Sequence, residues 1–136
     1  MPKQYLNPSG IPNLPGFSQV TTGRDGTFVF ISGQVAFNEH NELIGRGDLA
    51  GQMVQTFENL GGALKGVGAT FDDVLKTTIY VVDYNPEQIG VIREVRGRFL
   101  TGDRPPASTL IGVQALAFDG LLVEIEAVAM IENSTT

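Results

Sequence analysis

The sequence predicts an α/β fold of the α+β kind, in the order ββαβαββ, built as one domain over residues 1–136. Three observations carry this. Two segments place apolar residues three or four apart, the period of an amphipathic helix, and between and around them lie runs rich in β-branched residues bounded by Gly, Pro, Asn and Asp. No repeat, low-complexity run or linker divides the chain. At 136 residues and 42% hydrophobic it can bury one core, with no room for a second.

The elements follow in order. After a Pro/Gly-rich entry as far as Gly16, Phe17 to Thr22 and Thr27 to Ala36 read as a hairpin around Arg24-Asp25-Gly26. A polar loop follows through Asn38-Glu39-His40-Asn41-Glu42. From Asp48, an N-cap residue, Leu49, Met53, Phe57, Leu60, Leu64 and Val67 keep the helical period, and Gly66 and Gly68 end it. Thr70-Phe71-Asp72-Asp73 starts a short turn, and Lys76 to Asp83 is a strand. Asn85 followed by Pro86 gives an N-cap and a proline at the first position of a second helix, with Ile89, Ile92, Val95 and Phe99 on one side. Pro105-Pro106 stops any continuation. Two final strands are expected, Ala107 to Val113 and Leu121 to Ile131, around Phe118-Asp119-Gly120.

The last strand is the most telling. Residues at i and i+2 of a strand share a face, so Glu124 and Glu126 stand side by side, flanked by Leu122, Val128 and Met130. The other face, Leu121, Val123, Ile125, Ala127, Ala129 and Ile131, is wholly apolar. A buried carboxylate costs several kcal/mol unless paired or hydrogen-bonded, so the two acids have partners or a chemical task. With both helices on one side of the sheet, this second face is too apolar to be left to water, and self-association is expected, with the carboxylates at or near a subunit boundary.

Composition narrows the function classes. Without cysteine there are no disulfides, thiolate nucleophiles or thiolate metal sites. No signal-like apolar core follows Met1 and no segment approaches a membrane span, so cytoplasm is the expected compartment and a membrane is not an expected partner. A net charge of −6 argues against a broad nucleic-acid surface. His40 is the only histidine, which leaves little for a histidine metal site or a Ser/His/Asp triad. The Gly61–Gly68 run lacks the ending of a phosphate loop and reads as close helix packing. Asn133-Ser134-Thr135 is read as a chance sequon.

Five blocks in order, Pro15-Gly16-Phe17-Ser18-Gln19, Ile31-Ser32-Gly33-Gln34, Asp73 to Val81, Pro106-Ala107-Ser108-Thr109 and Val123 to Ala129, resemble the RidA/YjgF family almost end to end. The resemblance implies a chorismate-mutase-like fold, a homotrimer with small-molecule substrate clefts between subunits, and hydrolysis of reactive imines and enamines without metal or organic cofactor. It implies that Glu124 handles the water and that Ser32 contributes a hydroxyl, with Phe17, Gly33, Arg93, Ser108, Thr109 and Leu110 around the substrate. The chemistry needs a positioned water and a nearby group to move protons to the leaving nitrogen.

Three departures from the family pattern bear on substrate. Ser108 stands where deaminases carry the arginine that clamps the substrate carboxylate, a contact of about 1.5–3 kcal/mol, roughly one to two orders of magnitude in affinity. Phe17 replaces a common tyrosine, and Arg93 aligns with a common asparagine. Arg93, or Arg104 as a second candidate, would restore an anion clamp; the alternative is that Arg93 and Arg96 solvate the outer side of their helix. For Glu124 and Glu126 the alternative is a structural role. The expected function is a deaminase of altered substrate preference, set beside a non-catalytic trimer that binds a metabolite or partner, and a ribonuclease, which the acidic charge disfavours.

Overall fold

The computed structural model describes residues 2–134; Thr135, on which the sequon depends, lies outside them. Six strands and two helices run in the order β1 (Lys3–Leu6), β2 (Val20–Gly23), β3 (Gly26–Gln34), α1 (Leu49–Gly66), β4 (Val74–Val82), α2 (Ile89–Phe99), β5 (Ala107–Val113) and β6 (Val123–Glu132). The main sheet is mixed, in the order β3-β6-β4-β5, with β4 parallel to β5 and β6 antiparallel to both β3 and β4. The predicted α+β architecture is present, with one strand more than expected.

Both helices pack on one face of this sheet. Met53, Phe57, Leu60 and Leu64 of α1 and Ile92 and Val95 of α2 form one core with Ile79 and Val81 of β4 and Val123, Ile125, Ala127 and Ala129 of β6. Phe57 stacks on Phe99, rings 5.0 Å apart and nearly parallel, which joins the two helices. Asp48 precedes α1 in extended backbone but makes no capping bond; Gln52, fully buried one turn on, donates to Gly45 and Gly120 and accepts from the Leu122 amide, tying the helix start to the entry of β6. Thr70 and Asp73, and again Asn85 and Gln88, make capping boxes on short 3₁₀ turns before β4 and α2.

Two expectations about pairing are corrected. Phe17–Thr22 and Thr27–Ala36 do not form a hairpin with each other: β2 pairs with β1 as a separate two-stranded ribbon, and β3 pairs with β6. The turn at Asp25, φ 59°, is real, but it turns the chain from the ribbon into the sheet. Likewise β5 and β6, consecutive in sequence, have β4 between them. The ribbon is held by Thr21 Oγ1 donating to the Leu75 carbonyl at 2.7 Å and by the buried Lys3, whose ammonium lies 2.7 Å from Asp73. Its corner at Gly23–Gly26 packs over Met130, which is thereby fully buried rather than part of the open face.

Candidate active site

The face of the sheet away from the helices is built by alternation. On β6 it shows Glu124, Glu126 and Val128; on β4, through the register Tyr80↔Glu124, Thr78↔Glu126 and Lys76↔Val128, it shows Tyr80, Thr78 and Lys76. On β3, Phe28 and Phe30 stand opposite Met130 and Val128, and on β5, Thr109 and Ile111 stand beside Thr78 and Tyr80. Phe30 is 78% exposed and Phe28 50%. Together with Ile111 they leave large apolar side chains open across this face.

Glu124 sits where β3 is irregular. Between Ile31↔Ala127 and Gln34↔Ile125 the register gains one residue on β3, so Ser32 and Gly33 form a bulge. The Glu124 carboxylate lies on the bare backbone of Gly33, where any Cβ would collide with it. A bulge re-aims the local backbone, and glycine is what lets the acid lie against it. Ser32, next in chain, is exposed. Glu126 is engaged, accepting a hydrogen bond from the Tyr80 hydroxyl. That bond first, then desolvation and the charges of Glu126 and Glu124, raises the Tyr80 pKa above its ordinary value. Lys76 Nζ donates to Thr109 Oγ1 at 2.7 Å, and with Thr78, Glu126 and Phe30 it borders a depression of about 280 Å³.

One chain therefore brings together Glu124, Gly33 and Ser32, with Thr109 on the same face. The other expected residues lie elsewhere. Ser108 faces the helix side, where Thr77 donates to its hydroxyl at 3.1 Å, and Leu110 packs against the core. Ser18 bridges to Ala107 beyond the edge of the sheet, donating to the carbonyls of Pro105 and Pro106 at 2.6 and 3.1 Å. Phe17 beside it is three strand spacings across and five residues along from Glu124, roughly 14 Å and 17 Å at ordinary sheet dimensions. Arg93 is on α2, where it borders a groove with Arg96, Gly16 and Pro105 that contains neither Glu124 nor Ser32. Arg104 lies over the Tyr5 ring, its guanidinium carbon 4.7 Å from the centroid.

Arg96 is a further correction. It does not solvate the outside of α2 but is buried, 8% exposed. Tyr80 and Lys76, too, were not singled out from sequence; the alternation in Lys76-Thr77-Thr78-Ile79-Tyr80 places them on one face, but only the β4–β6 register sets that face against the two acids. Among the described residues no group of three or more His, Asp or Glu side chains is placed to hold a metal ion, and no helix is long and apolar enough to cross a membrane.

A family model described as Endoribonuclease L-PSP matches residues 11–131. The chain belongs to the RidA/YjgF family. A Rid-family protein of unknown function from Yersinia pestis is 41% identical to this RidA/YjgF chain, its structure matching with a TM-score of 0.90 over 96% of this chain and all of that one. A RutC family protein of Pyrococcus horikoshii is 35% identical over 104 residues, 76% of this chain and 79% of that protein. The 2-iminobutanoate/2-iminopropanoate deaminase of Rattus norvegicus is 32% identical over 108 residues, 79% of this chain and 76% of the deaminase. The mixed sheet with two helices on one face is the fold of these Rid structures.

Proposed function

We propose that the protein is a hydrolytic deaminase of reactive imines or enamines, acting as a homotrimer in the cytoplasm with its sites in the clefts between subunits. The observation that carries this reading is the Glu124 carboxylate lying on the bulge glycine Gly33 beside the exposed Ser32, on a sheet face left open by the chain's own helices. The relation to named imine deaminases supports it.

In this reading Glu124 takes a proton from water as the water attacks the imine carbon, and returns a proton to the leaving nitrogen, giving a keto compound and ammonia. Gly33 fixes the carboxylate from below, and Ser32 offers a hydroxyl to the substrate. Glu126 is held by Tyr80, which leaves Glu124 as the carboxylate for the reaction. Phe17 lies beyond the edge of the sheet, and Ser108 and Leu110 face the helix side, so within one chain none of them shares a site with Glu124, and in this reading a neighbouring copy supplies that wall. The exposed Phe28 and Phe30 are the side chains such a copy would cover.

The test generates 2-imino acids with an amino-acid oxidase in the presence of semicarbazide and follows their diversion to keto acid. The wild-type protein diverts them and Glu124→Ala does not. If small, apolar and acidic imino acids are all left to semicarbazide by the wild-type protein, the deaminase reading fails and a non-catalytic ligand-binding trimer takes its place.

A further inference from the structure

Helix α2 buries Ile92 and Val95, with Ile89 and Phe99 half-buried on the same side, and Arg96 is buried next to Val95, so a guanidinium lies at the edge of the apolar face and not on the outside of the helix. A buried charge is ordinarily met by a carboxylate. Here it is not: among the described residues no carboxylate oxygen lies within 4.0 Å of either Arg96 or Arg93. Glu94, the acid on the same helix, is taken by Arg98 through two bonds of 3.0 and 2.9 Å. Asp103 borders the same groove without reaching that distance. The neighbour one turn away is another cation, Arg93; burial first, and then that charge, lower the Arg96 pKa.

The surroundings are shaped to hold this guanidinium. It rests against Gly16, whose φ is +92° and where a Cβ would fall 2.6 Å from Nη2. Its donors still reach solvent, since no described side-chain nitrogen is both sealed from water and without a partner. They open onto a groove of about 360 Å³ lined by Pro15, Gly16, Arg93, Leu100 and Pro105. The groove belongs to the wall that contains Phe17: Gly16 precedes it, and Ser18 fastens the segment to Pro105 and Pro106, which lead directly into Ala107 and Ser108.

We propose that Arg96, assisted by Arg93, binds the carboxylate of a small organic acid in this groove, supplying from α2 the guanidinium that position 108 lacks. A planar guanidinium approached from one side suits a two-oxygen carboxylate, and the proline and leucine walls suit a small apolar body. The substrate class is then a 2-imino acid or its enamine, anchored by its carboxylate. This rests on the deaminase reading and on a second copy bringing Glu124 to the groove; the anion site itself is tested without either.

Pyruvate, a stable 2-keto acid, is titrated calorimetrically into the wild-type protein, with pyruvamide as its neutral counterpart. Pyruvate is expected to bind at least about tenfold more tightly than pyruvamide, and Arg96→Met to weaken pyruvate by about tenfold or more, with Arg96→Lys between. The melting temperature of Arg96→Met should equal or exceed that of wild type, since an unpaired buried charge is removed. Pyruvate affinity in Arg96→Met within about twofold of wild type overturns the proposal. Should that variant not fold, Arg93→Met, exposed on the helix, decides: unchanged pyruvate affinity there overturns it as well. A protein that binds pyruvate through Arg96 yet hydrolyses no imine keeps the anion site and loses the deaminase reading. Imino-acid hydrolysis with unchanged kcat/KM in Arg96→Met does the reverse.

Discussion

Strand β6 presents two faces made from alternate residues of one stretch of chain, and they differ in what they ask of their neighbours. Val123, Ile125, Ala127 and Ala129 are buried against α1 and the rest of the core. Glu124, Glu126 and Val128, one residue out of step, are only half-buried, and Phe30 beside them is mostly exposed. The first face is completed by its own chain. The second carries acids among apolar side chains, a composition that suits neither a core nor a free surface and fits a cleft that another copy closes.

Adjacent residues should therefore fail in opposite ways. Ile125→Ala, in the closed face, is expected to cost about 2–5 kcal/mol of stability, read by denaturant unfolding. Glu124→Ala should lower imine hydrolysis by about 100-fold or more while leaving the unfolding midpoint nearly unchanged. If Glu124→Ala unfolds as readily as Ile125→Ala, the acid is structural and the contrast collapses. Gly33→Ala displaces the carboxylate without removing it, and a loss of about tenfold in kcat, smaller than for Glu124→Ala, is expected. The smallest effect is electrostatic. Because the folded-state pKa of Tyr80 is raised, chiefly by its hydrogen bond to Glu126, the stability this group contributes is present in full below the ordinary tyrosine value and is lost as pH rises through the folded-state one. Thermal unfolding of the wild-type protein should thus weaken on the alkaline side, above about pH 10, more steeply than that of Tyr80→Phe.

The closed face was the more legible in sequence. The period of Leu49 to Val67 and the Asn85-Pro86 start each located a helix, and runs rich in β-branched and apolar residues located β4 and β6, because these signals are local and long. Pairing was not legible. Arg24-Asp25-Gly26 announces a turn but not which strands it joins, and Lys3-Gln4-Tyr5-Leu6 is too short and polar to announce β1, which is fixed by its pairing with β2 and by Lys3 against the distant Asp73. On the open face Glu124 stood out as a charge in a strand, whereas Gly33 was expected near the substrate only through the family resemblance, and its place beneath the carboxylate depends on the bulge. Arg96 offered little signal, because Ile89, Ile92, Val95 and Phe99 complete the apolar side of the helix without it; its burial comes from the distant Gly16 segment packing on its guanidinium.

The claim on which the rest depends is that the open face is finished by a second copy. The most direct measurement passes the protein through size exclusion with light scattering, assays imine hydrolysis across the fractions, and repeats both with Phe30→Glu. The account predicts that activity travels with a species of three chains and that Phe30→Glu yields folded, inactive monomer. A wild-type monomer that hydrolyses imines, or a Phe30→Glu monomer with full activity, would contradict it.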